Sequence, residues 1–283
     1  MDKLEAIKEI LEKNENTNNY SIGTKKEKTI HKFLKYYICS DSTNHEIKIA
    51  NYYVDCFYNG MIYEIQTRSF NAFREKISVL LKEHPLTIVY PISYQKQIFN
   101  TQDGEIVSTR KSPKKTHPLS ICEELYKIKP LLTNPNLHLM IIAMNTNEYR
   151  YYRLNRYKQL RTSRIDQTPT EIVNEYKINN LSDLKDLLPK TLPERFTTKD
   201  LMKHTKTSKK VVGCIANVLN HLDIITKVDK IGNSFVYEIK KWVSILLTRF
   251  YFFENLLIIL PTIVAIINAI KFTITILAAD EYW

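Results

Sequence analysis

The sequence predicts an α/β fold, a mixed sheet flanked by helices, followed by a smaller helical unit that closes with a hairpin. Three observations carry this. Tyr52 to Gln66, YYVDCFYNGMIYEIQ, is two β-rich runs around Asn59-Gly60, a dipeptide that supplies the positive φ angles of a tight turn. Leu86 to Ile92 is a short, continuously apolar run, as expected of a strand covered on both faces. From Phe196 onward, two helical patterns separated by HTKTS precede two more β-rich runs around Ile231-Gly232-Asn233-Ser234.

Residues 2 to 13 open the chain as an amphipathic helix with Leu4, Ile7, Ile10 and Leu11 on one stripe, and NENTNN ends it. A second helix runs from about Thr24 to Ile38, with Glu27 in its first turn at the edge of the apolar stripe. A strand from Glu46 to Ala50 leads into the hairpin. Thr67 to Leu81 is helical, burying Phe70, Phe73, Ile77, Leu80 and Leu81, and its cations include Arg68, Arg74 and Lys76. The order then requires a right-handed crossover into the strand at Leu86 to Ile92.

Residues 95 to 117 read as a strand and then a basic loop, RKSPKKTHP, which gathers Arg110, Lys111, Lys114 and Lys115. A helix from Ile121 to Leu132 and a strand from Leu137 to Met144 follow. Glu148 to Arg164 interleaves tyrosines with arginines, which suits either half-buried aromatics or backbone contacts with base stacking. Ile165 to Lys190 reads as a helical connector. The expected division is therefore 1–20 as an N-terminal helix, 21–165 as the α/β domain and 166–195 as the connector. Residues 196–241 form the second domain, and 242–283 an apolar tail.

Composition narrows the partners. The formal charge is +11, and without the last 42 residues it is 39 basic against 27 acidic, or +12. That favours polyanions, nucleic acid first and anionic membrane second. The cysteines at 39, 56, 122 and 214 lack zinc-ligand spacing and no secretory signal precedes them, so reduced thiols and a cytoplasmic location are expected. Five glycines and no Gly-rich phosphate loop argue against a nucleotide cofactor. A second copy of the chain is a further candidate partner. In the tail, Asn255 to Ala279 reaches a bilayer-spanning length only by tolerating Pro261 and Lys271, so membrane contact, a packed helix and a plain extension all stay open.

The chemistry sits in the hairpin. Side chains alternate faces along a strand, so Glu64 and Gln66 point the same way, and the partner strand can bring Asp55 beside Glu64. Two carboxylates forced together call for a divalent cation. Mg2+, or Mn2+, takes oxygen ligands and keeps several waters, so two carboxylates plus a phosphate oxygen suit it. Such an ion activates water and stabilises a leaving oxygen. Glu27 either joins this site or merely complements its helix dipole.

The order Glu27, Asp55, Glu64-Ile65-Gln66 resembles the PD-(D/E)XK nuclease superfamily over roughly residues 20 to 95. The resemblance implies a restriction-endonuclease-like mixed sheet and a metal-dependent DNA endonuclease. Asp55 and Glu64 would hold the metal, Glu27 would assist through water and Gln66 would position the attacking water. The usual lysine of the family is Gln66 here. Lys76, on the following helix, is the first candidate to replace its charge; the other reading leaves Arg68, Arg74 and Lys76 as solvated helix cations. Residues 24 to 240 also resemble an uncharacterised bacterial family of nuclease-like proteins with a C-terminal helix-turn-helix.

Residues 180 to 241 resemble a winged helix-turn-helix domain. That implies a second helix in the DNA major groove, with Ser208, Lys209 and Lys210 leading it and Lys227 and Lys230 in the wing. A winged helix used only for protein contacts is the alternative. For the whole chain, a catalytically inactive DNA-binding regulator on the same fold stands beside the endonuclease, and a membrane-tethered interaction protein rests on the tail alone.

Overall fold

The computed structural model describes residues 3–17, 29–154, 156–157 and 160–240. The described residues up to Ile239 form one compact unit. The apolar tail at 242–283 thus lies outside the described residues. Among the described residues no helix is long and apolar enough to cross a membrane.

Two helices come first, α1 (Lys3–Thr17) and α2 (Thr29–Ile38). They are followed by β1 (His45–Ile49), β2 (Tyr52–Tyr58), β3 (Met61–Ile65), α3 (Phe70–Leu80), β4 (Leu86–Gln102) and β5 (Glu105–Lys111). A short α4 (Cys122–Leu125) sits between two 3-10 turns. The long strands β6 (Leu137–Leu154) and β7 (Leu160–Ile178) come next. After a 3-10 turn at Leu181–Leu187 come β8 (Arg195–Thr197), α5 (Thr198–Thr205), α6 (Lys209–His221), β9 (Ile225–Ile231) and β10 (Ser234–Ile239).

The main sheet has seven strands in the order β1-β2-β3-β4-β6-β7, with β5 added to β4. It is mixed, because β4 runs parallel to both β3 and β6 while the remaining pairs are antiparallel. The β2–β3 turn uses Asn59 at φ 50° and Gly60 at φ 75°, the left-handed pair that the dipeptide predicts. Helix α3 is the crossover from β3 to its parallel neighbour β4. One face of the sheet packs Ile62, Ile88 and Ile141 against Phe70, Ile77 and Leu80 of α3. The other packs Ile65, Val89, Ile142 and Met144 against Phe33 and Leu34 of α2 and Leu4, Ile7 and Leu11 of α1. Ile141 and Ile142 fall on opposite sides, as period-two alternation requires.

Four expectations are corrected. Residues 165–190 are not a helical connector: β7 occupies the stretch to Ile178 and pairs with β6 along its length. Thr168, Pro169, Thr170, Ile172 and Val173 explain this, since proline breaks a helix interior and β-branched side chains suit a strand. A domain boundary at 165 therefore falls inside a strand. The strand expected to end near Ile92 runs on to Gln102, and Arg110 and Lys111 belong to β5 rather than to a loop. Pro91 is tolerated because β3 pairs β4 only as far as Val89 and β5 only from Gln97, so its missing N–H faces a gap between neighbours. Finally, the helix expected over 121–132 breaks at Ile128 (φ −114°, ψ 22°), two residues before Pro130.

The last elements form a three-stranded sheet, β8-β10-β9, against α5 and α6. They are not a detached body. Phe196, Leu201, Val212, Ile215 and Leu219 enter the same core as Leu119, Ile121, Leu125 and Ile128.

Candidate functional site

β2 and β3 pair from the turn outward, Tyr58 with Met61, Phe57 with Ile62 and Cys56 with Tyr63, which would bring Asp55 opposite Glu64. At that point the ladder changes. The Ile65 N–H donates to Asp55 Oδ2 at 2.7 Å, so a side-chain carboxylate replaces the backbone acceptor. The Gln66 N–H meanwhile donates to Val89 O at 2.9 Å, which keeps β3 on β4. The carboxylate is thereby fixed at the place where two strands part.

Glu64 is 1% exposed, beside Ile88 in the register of β4. Its cation comes from α3. That helix starts after Ser69, whose φ of 66° leaves its hydroxyl unable to cap. Glu124 of α4 caps instead, accepting from the Phe70 N–H at 2.9 Å and from Lys127 Nζ at 2.6 Å. With Phe70 and Ile77 buried on the sheet, the helix turns Lys76 toward β2 and β3. Lys76 Nζ donates to Tyr53 O at 2.6 Å and lies 2.5 Å from Glu64 Oε1, an ion pair without the angle of a directed hydrogen bond.

Electrostatics single out Glu64. Burial, and next the charge of Asp55, push its carboxyl from the usual 4.5 up to about 7, against the pull of Lys76. His31 of α2 adds a fourth group, with Nε2 3.2 Å from Asp55 Oδ2. Sequence reasoning missed His31 because no metal-ligand spacing surrounds it. The available signal was its place three residues before Leu34, on the helix face that packs the sheet.

The structure thus brings Asp55, Glu64 and Lys76 together. Gln66 follows two residues after Glu64 and is half-buried. Glu27 lies outside the described residues. Arg110, Lys111, Lys114 and Lys115 are exposed on β5 and the loop after it, with Lys115 Nζ 4.9 Å from the Tyr94 ring centre. Ser208 caps α6, accepting from the Val211 N–H at 3.4 Å, and Lys209 is exposed. Lys210 is engaged elsewhere, 2.7 Å from Glu123 of α4. Lys227 lies 4.1 Å from the Phe235 ring centre, and Lys230 is exposed on β9.

Among the described residues no three His, Cys, Asp or Glu side chains are grouped to hold a metal ion. Asp55 and Glu64 make a two-carboxylate set. That fits an ion content with few protein ligands, as Mg2+ is, while the rise of the Glu64 carboxyl comes first from burial and next from Asp55.

A family model described as a domain of unknown function (DUF8091) matches residues 28–179, more than half of the chain. The chain belongs to the DUF8091 family. The matched segment holds His31, Asp55, Glu64, Gln66 and Lys76, and it ends one residue past β7, so its limit is the end of the main sheet. The elements from β8 to β10 fall outside it. The chain is also similar to an uncharacterized protein of Treponema pallidum (strain Nichols), 28% identical over 186 residues that cover 64% of this chain and 73% of that protein. No solved structure matches.

Proposed function

We propose that this DUF8091 protein is a metal-dependent nuclease that hydrolyses DNA phosphodiester bonds at the Asp55–Glu64–Lys76 site. One observation carries the reading. The cation that Gln66 cannot provide stands 2.5 Å from Glu64, delivered by α3 as Lys76. Two carboxylates and an ammonium at the parting of two strands are the parts that the resemblance to PD-(D/E)XK nucleases calls for.

Asp55 and Glu64 would hold Mg2+ or Mn2+, which supplies polarisation of the phosphate and a more acidic bound water. The Ile65 N–H and His31 keep the Asp55 carboxylate oriented. Gln66, whose amide both donates and accepts, orients the attacking water. Lys76 stabilises the negative charge that grows on the phosphate as the water oxygen bonds to phosphorus and the bond to the leaving sugar oxygen breaks. Glu27 assists through water.

We read residues 195–239 as a winged helix, on the order strand, helix, helix and hairpin. It targets DNA with Lys209, Lys227 and Lys230, while Lys210 must exchange Glu123 for a phosphate to join them.

A second reading is favoured by the same ion pair. Lys76 already compensates Glu64, so the site can persist as a closed pair in a DNA-binding regulator without chemistry. Plasmid nicking with Mg2+, Mn2+ or EDTA separates the two. The nuclease reading expects metal-dependent nicking that Glu64→Gln and Asp55→Asn abolish. Protein inert with both metals on supercoiled, linear and single-stranded DNA leaves the regulator.

A further inference from the structure

From Gln97 onward β5 joins β4, and the sheet there is four strands wide, in the order β5-β4-β6-β7. Its two faces differ. Along β6, Thr146 and Glu148 are each 2% exposed, whereas Asn147 and Tyr149 are half-buried and Tyr151 is 43% exposed. Along β4, Ile98 and Asn100 are buried, whereas Gln97 and Phe99 are half-buried. Alternation puts each buried pair on one face and the others on the opposite, more open one. The open face of β6 is the one that carries Ile141 earlier in the strand. It therefore continues the side of the sheet on which α3 packs and Lys76 meets Glu64.

Three aromatic rings stand on this face. Phe99 and Tyr149 are cross-strand partners and stack, with ring centroids 5.2 Å apart and planes at 19°. Tyr151 follows two residues along β6. The other cross-strand neighbours are short: Thr109 lies beside Phe99, and Thr101 and Ser163 lie on either side of Tyr151. Side chains of that length leave much of the ring surface uncovered. The adjoining edge is basic. Lys111 is the cross-strand partner of Gln97, so it shares the face, and exposed Lys114 and Lys115 follow it. All seven residues of β5 are exposed, which leaves this edge accessible to a polyanion.

We infer that this face binds single-stranded DNA, with unpaired bases on Phe99, Tyr149 and Tyr151 and the backbone along the Lys111 edge. The inference deepens the nucleic-acid reading of the Asp55 site and rests on it. Aromatic rings on a sheet offer stacking to bases, and a basic border offers contacts to phosphates. A duplex hides its base faces inside its own stack, so only an unpaired strand can use the rings. Gln97 and Asn147, one row further along the same face, add amides that both donate and accept toward base edges. On β4, Phe99 lies eleven residues beyond Ile88, the register partner of Glu64. At roughly 3.3 Å per residue the rings stand about 36 Å along the strand from the carboxylates. They hold substrate there and take no part in the chemistry.

The test is binding of a labelled oligothymidine of about 20 nucleotides in EDTA, on full-length Glu64→Gln protein so that cleavage plays no part. Tyr151→Ala should weaken binding roughly 5- to 150-fold, the range for one lost stacking contact. Tyr151→Phe, which keeps the ring, should bind within about twofold of the parent. The slope of log K against log salt should be unchanged in Tyr151→Ala, whereas Lys111→Ala should lower it by about 0.7, one phosphate contact on a single strand. Binding of a duplex of similar length should not respond to Tyr151→Ala. Undiminished oligothymidine binding in Tyr151→Ala overturns the inference, and so does an equal loss on the duplex or in Tyr151→Phe. Tighter, ring-dependent binding of oligouridine overturns DNA as the ligand. Metal-dependent nicking by a protein whose oligothymidine binding ignores Tyr151 would sink this proposal and spare the nuclease; ring-dependent binding in an inert protein would do the reverse.

Discussion

Two buried glutamates in this molecule sit in opposite electrostatic settings. Glu64 is 1% exposed and Glu148 is 2% exposed, and each has a lysine within 2.6 Å. Yet the Glu64 carboxyl is pushed up to about 7, while that of Glu148 is held below its usual value. Desolvation, which weighs more on Glu64, and the neighbours together decide this. Glu148 accepts directed bonds from Lys96 and Arg150, which outweigh its desolvation. Glu64 faces the like charge of Asp55, and its one cation also serves Tyr53 O. A buried acid with two cations is a closed structural unit. One that lies beside a second acid, with a raised carboxyl, is the kind of group that functional sites commonly hold.

The largest expected difference is in activity. Lys76→Ala should reduce nicking about 10²–10³-fold, the usual cost of removing a donor that stabilises developing charge. Lys96→Ala should leave nicking within about twofold, because Arg150 still holds Glu148. Equal losses in the two variants would remove the distinction between the sites. Gel-based initial rates on supercoiled plasmid decide it.

Stability should differ in sign. The folded-state value of Glu64 lies above the unfolded one, so its ionisation costs stability that is absent below pH 4.5 and fully developed above pH 7. Across that window the cost is about 3 kcal/mol at most. Glu64→Gln should therefore stabilise metal-free protein at pH 8, by less than that figure because Lys76 loses its partner. The advantage should vanish toward pH 4.5. Glu148 is lowered instead, so it contributes stability above its unfolded value and loses it as pH falls through the folded one. Glu148→Gln should then cost about 2 kcal/mol at pH 7, below the range for fully buried pairs because Lys96 and Arg150 reach solvent. Urea titrations at pH 5 and pH 8 would show crossing curves for Glu64→Gln alone.

The two regions also differ in how far the sequence discloses them. Asn59-Gly60 and strict alternation define β2 and β3, and with them the approach of Asp55 to Glu64. Lys76 could be proposed from helical spacing, because one helix following one strand restricts where its cations can reach. The Glu148 network could not be read. β7 is bulged near Val173, Thr170 and Ile165, where its register to β6 shifts, and each bulge resets the period on which strand recognition depends. A strand cut by three bulges into four short runs resembles a polar connector. The capping Glu124 is a long-range contact with no local signature, and His31 offers only its place on the face of α2 that packs the sheet. The apolar stripe of α6 was legible, but that it joins the core of α4 and the main sheet was not.

The smallest expected effect tests whether the Glu64 site already has its cation. Position 66 is the first residue past β3, and its N–H still bonds Val89 O at 2.9 Å, so continued alternation projects it from the same face as Glu64. A lysine there would stand where PD-(D/E)XK nucleases commonly carry one. If Gln66 marks a missing charge, Gln66→Lys should raise nicking about 10²-fold or more, the worth of a stabilising donor. If Lys76 holds that place, the added ammonium competes with it for Glu64 and repels it, and the rate should change less than tenfold. Lys76→Ala/Gln66→Lys completes the comparison. Substantial recovery over Lys76→Ala would show that one positive charge near Glu64 is what the reaction needs, whichever element delivers it. No recovery would mean that the path from α3, with the Tyr53 carbonyl fixing the ammonium, matters as much as the charge itself.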